Sequence, residues 1–154
     1  MPARAEVQIR AATAQEADVI GALLQSAGLP ALDGAAFRAE HFRIAQRDAQ
    51  VIGAVGLERY DEHGLLRSLV VAADARGRGV GDALVEALEA HARALGLHAL
   101  VLLTTTAEPF FRQRGYAAIA REAMPVPVQR SSEFATLCPA SAVCLRKELR
   151  AATP

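Results

Sequence analysis

Apolar residues recur along this chain with two different periods, and the changes between them outline its elements. Val19, Ile20, Leu23 and Leu24 fall at helical spacing. Thr13 precedes them with Glu16 three positions on, the spacing of a capping box, and Gly28 and Pro30 follow as stop signals. A helix is therefore expected from about residue 13 to 27. Residues 42–46 and 50–60 alternate as strands about a tight turn at 47–49, and a second turn at 61–64 leads to a strand over 65–71, expected to pair antiparallel with the one before it. Val80, Leu84, Leu88, Ala92 and Leu95 return to the helical period, predicting a helix over 79–95 closed by Gly96.

Residues 97–103 are continuously apolar, as in a strand covered on both faces. Strand, helix and strand in that order predict a right-handed parallel crossover. A short strand at 7–10, an ambiguous stretch at 30–41 with a short helix around 35–41, a short helix at 109–114 ended by Gly115, a strand near 116–121, a polar segment at 125–134 and a last strand at 142–147 complete the reading, with 148–154 as a tail. The fold class is α/β (α+β): a mixed, mostly antiparallel sheet of about 6–7 strands with one parallel β-α-β crossover and about 4 helices. Residues 1–154 read as one domain with a core over about 7–147.

Charge narrows the function classes. Lysines and arginines equal aspartates and glutamates at 17 each. A net charge of zero argues against general binding to nucleic acid or to anionic membranes, which calls for a basic excess. No apolar run approaches the length of a membrane span, and residues 1–10 lack the apolar region of a signal peptide. The two cysteines, Cys138 and Cys144, would lie about 20 Å apart on one extended strand, too far for a disulfide. They and the four scattered histidines offer no metal-ligand spacing, so no metal is expected and a reducing cytoplasmic setting fits.

The most informative stretch is residues 69–81, LVVAADARGRGVG. A strand runs through a short linker into three glycines at alternate positions, and a helix starts at once. Such a turn lets backbone N–H groups point inward, and the helix adds its unpaired N–H groups and the positive end of its dipole. A phosphate or pyrophosphate is the expected ligand. The lysine and hydroxyl of a Walker loop are absent, since Gly81 is followed by Asp82 and Ala83. The dinucleotide pattern would need glycine at 82. What remains is R-x-x-G-x-G: Arg76, Gly79 and Gly81.

These residues resemble the GNAT superfamily of acetyl-CoA-dependent N-acetyltransferases, and the resemblance continues past the loop. The family has a pattern close to N-x-x-A-x-x-F-Y-x-x-x-G-F, and this chain reads Thr104, Ala107, Phe110, Phe111, Gly115 and Tyr116 with every spacing kept. The resemblance implies acetyl-CoA as cofactor. Arg76, Gly77, Arg78, Gly79, Val80 and Gly81 would take the pyrophosphate, mostly through backbone N–H groups. Val71 would pair with pantetheine as an added strand, with the thioester near Leu69, Val70 and Val71 beside a strand bulge, and Thr104 and Phe110 would lie along pantetheine.

Many relatives use the tyrosine of F-Y as general acid, and here Phe111 occupies that place. Thr104, Ser141 and Cys138 are candidates near the sulfur. Glu58 is the candidate general base, sharing a strand face with Ile52, Ala54 and Tyr60, with Glu133 second. Arg67, inside an apolar strand, is read as a fork for a substrate carboxylate or as an ion-pair partner of Glu58 or Glu62. Arg130, Ser131 and Ser132 are further candidates for substrate binding. Residues 130–144, with L-L-R-S-L-V-V and L-L-T-T-T-A before them, resemble the arsenic-resistance N-acetyltransferase subfamily, which implies a small amino acid or amino-acid-like xenobiotic as acceptor. Dimers are common among such relatives. Two other readings stand beside this one: a catalytically weak acetyl-CoA sensor, and an acetyltransferase acting on protein N-termini or lysines.

Overall fold

The computed structural model describes residues 6–29, 37–131, 134 and 142–149. Among them are seven strands and four α-helices: β1 (Val7–Ala11), α1 (Ala17–Ser26), β2 (Phe42–Arg47), β3 (Gln50–Tyr60), β4 (His63–Val71), α2 (Val80–Ala94), β5 (Ala99–Thr104), α3 (Glu108–Arg112), β6 (Ala117–Ile119), α4 (Val126–Gln129) and β7 (Val143–Glu148). The strands follow one another in the sheet as β1-β2-β3-β4-β5-β7-β6. The mixed, mostly antiparallel architecture expected from the hydrophobic pattern is what forms.

The chain divides into two compact units. The first holds β1, α1, β2, β3 as far as Leu57, the end of β4 from Ser68, and α2 as far as His91. β1 and β2 pair antiparallel from Val7 opposite Arg47 to Ala11 opposite Arg43. The turn between β2 and β3 sets Asp48 at φ 56°, a left-handed conformation that aspartate tolerates. The expected capping pattern is present at Thr13 and Glu16, where the Thr13 N–H donates to Glu16 Oε1 at 2.8 Å. It caps a single 3-10 turn, Ala14–Glu16, before α1 begins. Ile20, Leu24, Phe42, Ile44, Ala54 and Val70 form one apolar cluster. Burying a side chain such as Ile20 or Leu24 contributes roughly 1.5–3 kcal/mol. Gly53 admits close packing here: a Cβ on it would lie 3.0 Å from both Leu84 Cδ1 and the Val70 carbonyl oxygen.

The second unit holds residues 58–67, β5, α3, β6, α4 and β7. β4 and β5 pair in parallel from His63 opposite Ala99 to Leu65 opposite Val101. β7 pairs antiparallel with β5 on one side and β6 on the other, so the last strand in sequence lies inside the sheet. Leu65, Val101, Met124, Val128 and Cys144 form its apolar cluster, with Tyr60, Leu103, Ile119 and Phe134 packed against it.

Several boundaries differ from the sequence reading for identifiable reasons. β5 begins at Ala99 because the Leu97 N–H is held by the Ala92 carbonyl and the Gly96 N–H by that of Arg93. These two bonds with Gly96 at φ 79° are a Schellman closure, and the same pair recurs at Gly28 and at Gly115. β4 begins at His63, earlier than expected, with Gly64 buried in it. The segment at 125–134 contains α4, whose Val128 is buried four residues after buried Met124. Residues 148 and 149 are not tail: Glu148 ends β7, and buried Leu149 donates its N–H to the His98 carbonyl at 2.8 Å. Of residues 35–41, those described contain only a 3-10 turn, Ala39–His41.

Candidate functional site

The glycine turn is built by backbone. After β4 the Ala72 N–H bonds the Ile52 carbonyl at 2.7 Å, and a 3-10 turn, Ala73–Ala75, anchors itself through buried Ala75. Gly77 and Gly79 then adopt φ 79° and 81°. An L-residue in that region costs about 1–2 kcal/mol, so these two positions need glycine for conformation. Open space surrounds both, since a Cβ would meet nothing within 4 Å. Gly81 lies in the first turn of α2 and contributes the absence of a side chain. Buried Val80 and Leu84 fix the start of α2. Its first N–H groups have no intrahelical acceptor, which with residues 76–79 exposed makes this end of the helix an anion cradle. Arg76 Nε donates to the Val71 carbonyl at 3.0 Å, so its side chain closes the turn back onto the strand. Exposed main-chain donors beside two arginines are a donor set whose chemistry suits a diphosphate.

Along β4, Val70 is buried in the first unit's apolar cluster, and Leu69 and Val71 alternate to the other face, half-buried. Ser68 has φ 60°, a left-handed residue inside a strand and the conformation that a bulge of the G1 type requires. This left-handed residue lies immediately before residues 69–71.

In the second unit, Glu58 of β3 lies in a dense polar cluster. Arg67 of β4 is 5% exposed, and its Nη1 donates to Glu58 Oε2 at 2.6 Å. The Tyr60 hydroxyl donates to the other oxygen, Oε1, also at 2.6 Å. Of the two partners considered for Arg67 in an ion pair, the structure pairs it with Glu58; a charge buried this deeply requires such a partner. The Tyr60 phenol is pushed up to about 12, first by burial and then by the hydrogen bond and negative charge of Glu58. Ser131, also 5% exposed, lies beside the phenol and offsets part of that upward shift. Its Oγ donates to the Val128 carbonyl at 2.6 Å and accepts from the Phe134 N–H at 3.2 Å.

Tyr60 and Ser131 were not singled out together by the sequence. The one available signal was that Tyr60 shares Glu58's strand face; Ser131 reaches it only through the packing of α4.

The second motif forms the turn after β5. Thr104 Oγ1 accepts the N–H groups of Ala107 at 2.9 Å and Thr106 at 3.3 Å, shaping the entry to α3. Phe111 is buried, edge-on to Phe110 at 5.0 Å and to buried Tyr116 at 5.3 Å, so it serves as core. Half-buried Phe110 carries the Arg114 guanidinium over its ring at 3.6 Å. Burial pushes Arg114 below the ordinary guanidinium range. Arg130 is exposed at the end of α4. Glu133, Ser132, Cys138 and Ser141 lie outside the described residues. Two of the four histidines meet across the first unit, His41 Nδ1 lying 2.9 Å from His91 Nε2. No group of three or more histidine, cysteine, aspartate or glutamate side chains is arranged to hold a metal ion among the described residues. Nor is any helix among them long and apolar enough to cross a membrane.

Comparison with known proteins adds to this geometry. The family model described as acetyltransferase (GNAT) family matches residues 17–116. An amino-acid acetyltransferase of Azotobacter vinelandii is 41% identical over 86 residues, covering 54% of this chain and 20% of that protein. One from Ralstonia nicotianae is 34% identical over 87 residues, covering 55% and 19%. The chain thus spans about a fifth of the length of these curated relatives. Among solved structures, N-acetylglutamate synthase of Neisseria gonorrhoeae, complexed with coenzyme A and N-acetyl-glutamate, superposes with a TM-score of 0.82 at 22% identity, over 97% of this chain and 36% of that one. A GNAT-family acetyltransferase of Staphylococcus aureus superposes with 0.73 at 16% identity, over 94% of this chain and 100% of the other.

Proposed function

This chain belongs to the acetyltransferase (GNAT) family, and from that premise we propose that it moves an acetyl group from acetyl-CoA to the amine of an amino acid or amino-acid-like small molecule. The observation that carries the cofactor half is the pair of left-handed glycines opening onto the N-terminus of α2. The name shared by the curated relatives, amino-acid acetyltransferase, supports the acceptor half and narrows the arsenic-resistance resemblance to its amino-acid content. An arsenic-containing amino acid belongs among the acceptors to be assayed.

Acetyl-CoA, when bound, supplies an acetyl thioester whose thiol leaves with a pKa of about 8.5. The main chain of 78–81 binds the pyrophosphate, and Arg76 and Arg78 add charge. An amide N–H of β4 near Leu69–Val71 donates to the thioester oxygen as negative charge develops on it. The acceptor amine arrives protonated, and Glu58 takes its proton so that the nitrogen can attack the carbonyl carbon as the carbon–sulfur bond breaks. Phe111 supplies no proton to the departing thiolate. The attacking nitrogen gives up its second proton as the amide forms, and water carries it to the departing thiolate, with Thr104 at the start of the motif as the candidate side-chain hydroxyl. Arg67 acts through Glu58, and Arg130 takes the acceptor's carboxylate.

The test is purified protein with acetyl-CoA, a panel of amines and amino acids, and thiol release as the readout. Turnover on α-amino acids is expected. A rise in melting temperature with acetyl-CoA but no turnover on any amine would leave a binding module instead.

A further inference from the structure

The Glu58 cluster contains more than a base and its counter-ion. A glutamate at a strand end has three rotatable bonds, and a base must present one lone pair in one direction to be effective. Here each carboxylate oxygen receives one short bond from a different element position, Oε1 from Tyr60 and Oε2 from Arg67. Two donors on two oxygens fix both the place and the plane of the carboxylate. Tyr60 is itself held, its ring against the Leu65, Val101, Met124, Val128 and Cys144 cluster and its single hydroxyl hydrogen given to Glu58.

Three roles are open to such a tyrosine, and chemistry separates them. A proton relay from Glu58 through Tyr60 to Ser131 ends without an outlet, because the single Ser131 hydroxyl hydrogen points at the Val128 carbonyl. A general acid must release its proton readily near neutral pH, and a phenol pushed up to about 12 does not. A permanent donor is what remains, matched by a guanidinium that is always charged.

We propose that Tyr60 is a positioning residue that acts only through Glu58, forming with Arg67 a two-point clamp that aims the carboxylate at the acceptor amine. This rests on Glu58 being the general base.

The experiment is a double-mutant cycle on kcat, with KM for acetyl-CoA measured alongside. Tyr60→Phe removes one hydroxyl and is expected to lower kcat about tenfold, the scale of a hydrogen bond to a charged group, with KM for acetyl-CoA unchanged. Glu58→Gln lowers kcat further, and adding Tyr60→Phe to it costs nothing more. A Tyr60→Phe enzyme at the wild-type rate beside a crippled Glu58→Gln enzyme overturns the positioning role alone. A Glu58→Gln enzyme at the wild-type rate overturns the base and the clamp together. Additive losses, or a parallel change in KM for acetyl-CoA, also overturn it. An ultraviolet phenol titration gives a readout that does not depend on Tyr60→Phe folding. The chain has 2 tyrosines and no tryptophan, and Tyr116→Phe assigns the signal. In Glu58→Gln the Tyr60 titration should fall from about 12 toward the ordinary 10; an unmoved titration shows that the phenol does not sense Glu58 and sinks the proposal.

Discussion

The glycine turn at 76–81 and the Glu58 cluster are built on opposite principles. In the turn, side chains matter by their absence: two left-handed glycines and a helix N-terminus hold out main-chain donors, and residues 76–79 are exposed. In the cluster everything depends on side chains, buried at Arg67 and half-buried at Glu58 and Tyr60, and already bonded to one another before any ligand arrives. Backbone sites tolerate changes in neighbouring side chains and fail when the backbone conformation is denied. Side-chain sites fail one functional group at a time. Damage to the first region should therefore register in acetyl-CoA binding, and damage to the second in turnover.

The sharpest way to break this contrast is Glu58→Gln. It should lower kcat by about 10²–10³-fold, as removal of a general base does, while the Kd for acetyl-CoA measured by calorimetry stays at the wild-type value. The substitution also leaves buried Arg67 facing a neutral amide, a loss of about 3–5 kcal/mol for broken buried pairs. Domains hold about 5–15 kcal/mol in total, so rates should be taken well below the lowered melting temperature. A weakened acetyl-CoA affinity would erase the division between the two regions.

The reciprocal change is Gly79→Val. A β-branched residue at φ 81° is strained by about 1–3 kcal/mol, so the turn must abandon the conformation that binds. The Kd for acetyl-CoA should rise by about ten- to a hundredfold, with kcat at saturating acetyl-CoA close to wild type. A kcat that collapses while Kd holds would remove the turn from cofactor binding. A smaller effect is expected for Arg76→Ala and Arg78→Ala, each within about threefold in Kd, since exposed charges contribute only about 0–1 kcal/mol. A large loss at either would move the site from main chain to side chain.

The same contrast explains what could be read in advance. The turn was legible because its requirement is local: Gly77 and Gly79 must be glycine for φ, and a helix must follow within the next residues. The three glycine helix stops were legible for the same reason, each closing its helix by bonds among immediate neighbours. The strand hairpin over 50–71 followed from alternation and turn residues. What failed to show was nonlocal. Nothing near residue 128 or 131 says that α4 will bury Val128 and bring Ser131 to the Tyr60 phenol. Nothing near residue 143 says that β7 will enter the sheet between β5 and β6. Arg67 stood out as an arginine in an apolar strand, but only the register between β3 and β4 decides that its partner is Glu58 rather than Glu62. Phe111 stood out as the residue in place of the family tyrosine; its packing edge-on to Phe110 and Tyr116 is seen in the fold alone.

The mildest prediction separates the two regions without any ligand. The folded Tyr60 phenol titrates at about 12, against an ordinary value of 10.0. A raised value means that the folded state holds the proton more tightly than the unfolded chain does. The stability this contributes is fully present below pH 10 and is lost as pH rises toward 12. Other groups also titrate there, so the measurement is a difference. Between pH 9 and 12 the melting temperature of the wild type should fall more steeply than that of Tyr60→Phe, the gap opening above pH 10. Gly79→Val, which leaves the phenol and its carboxylate untouched, should run parallel to the wild type over the same range. Parallel curves for wild type and Tyr60→Phe would mean that the phenol is not bonded as described. The preassembled character of the Glu58 cluster, on which its contrast with the open glycine turn depends, would then be lost.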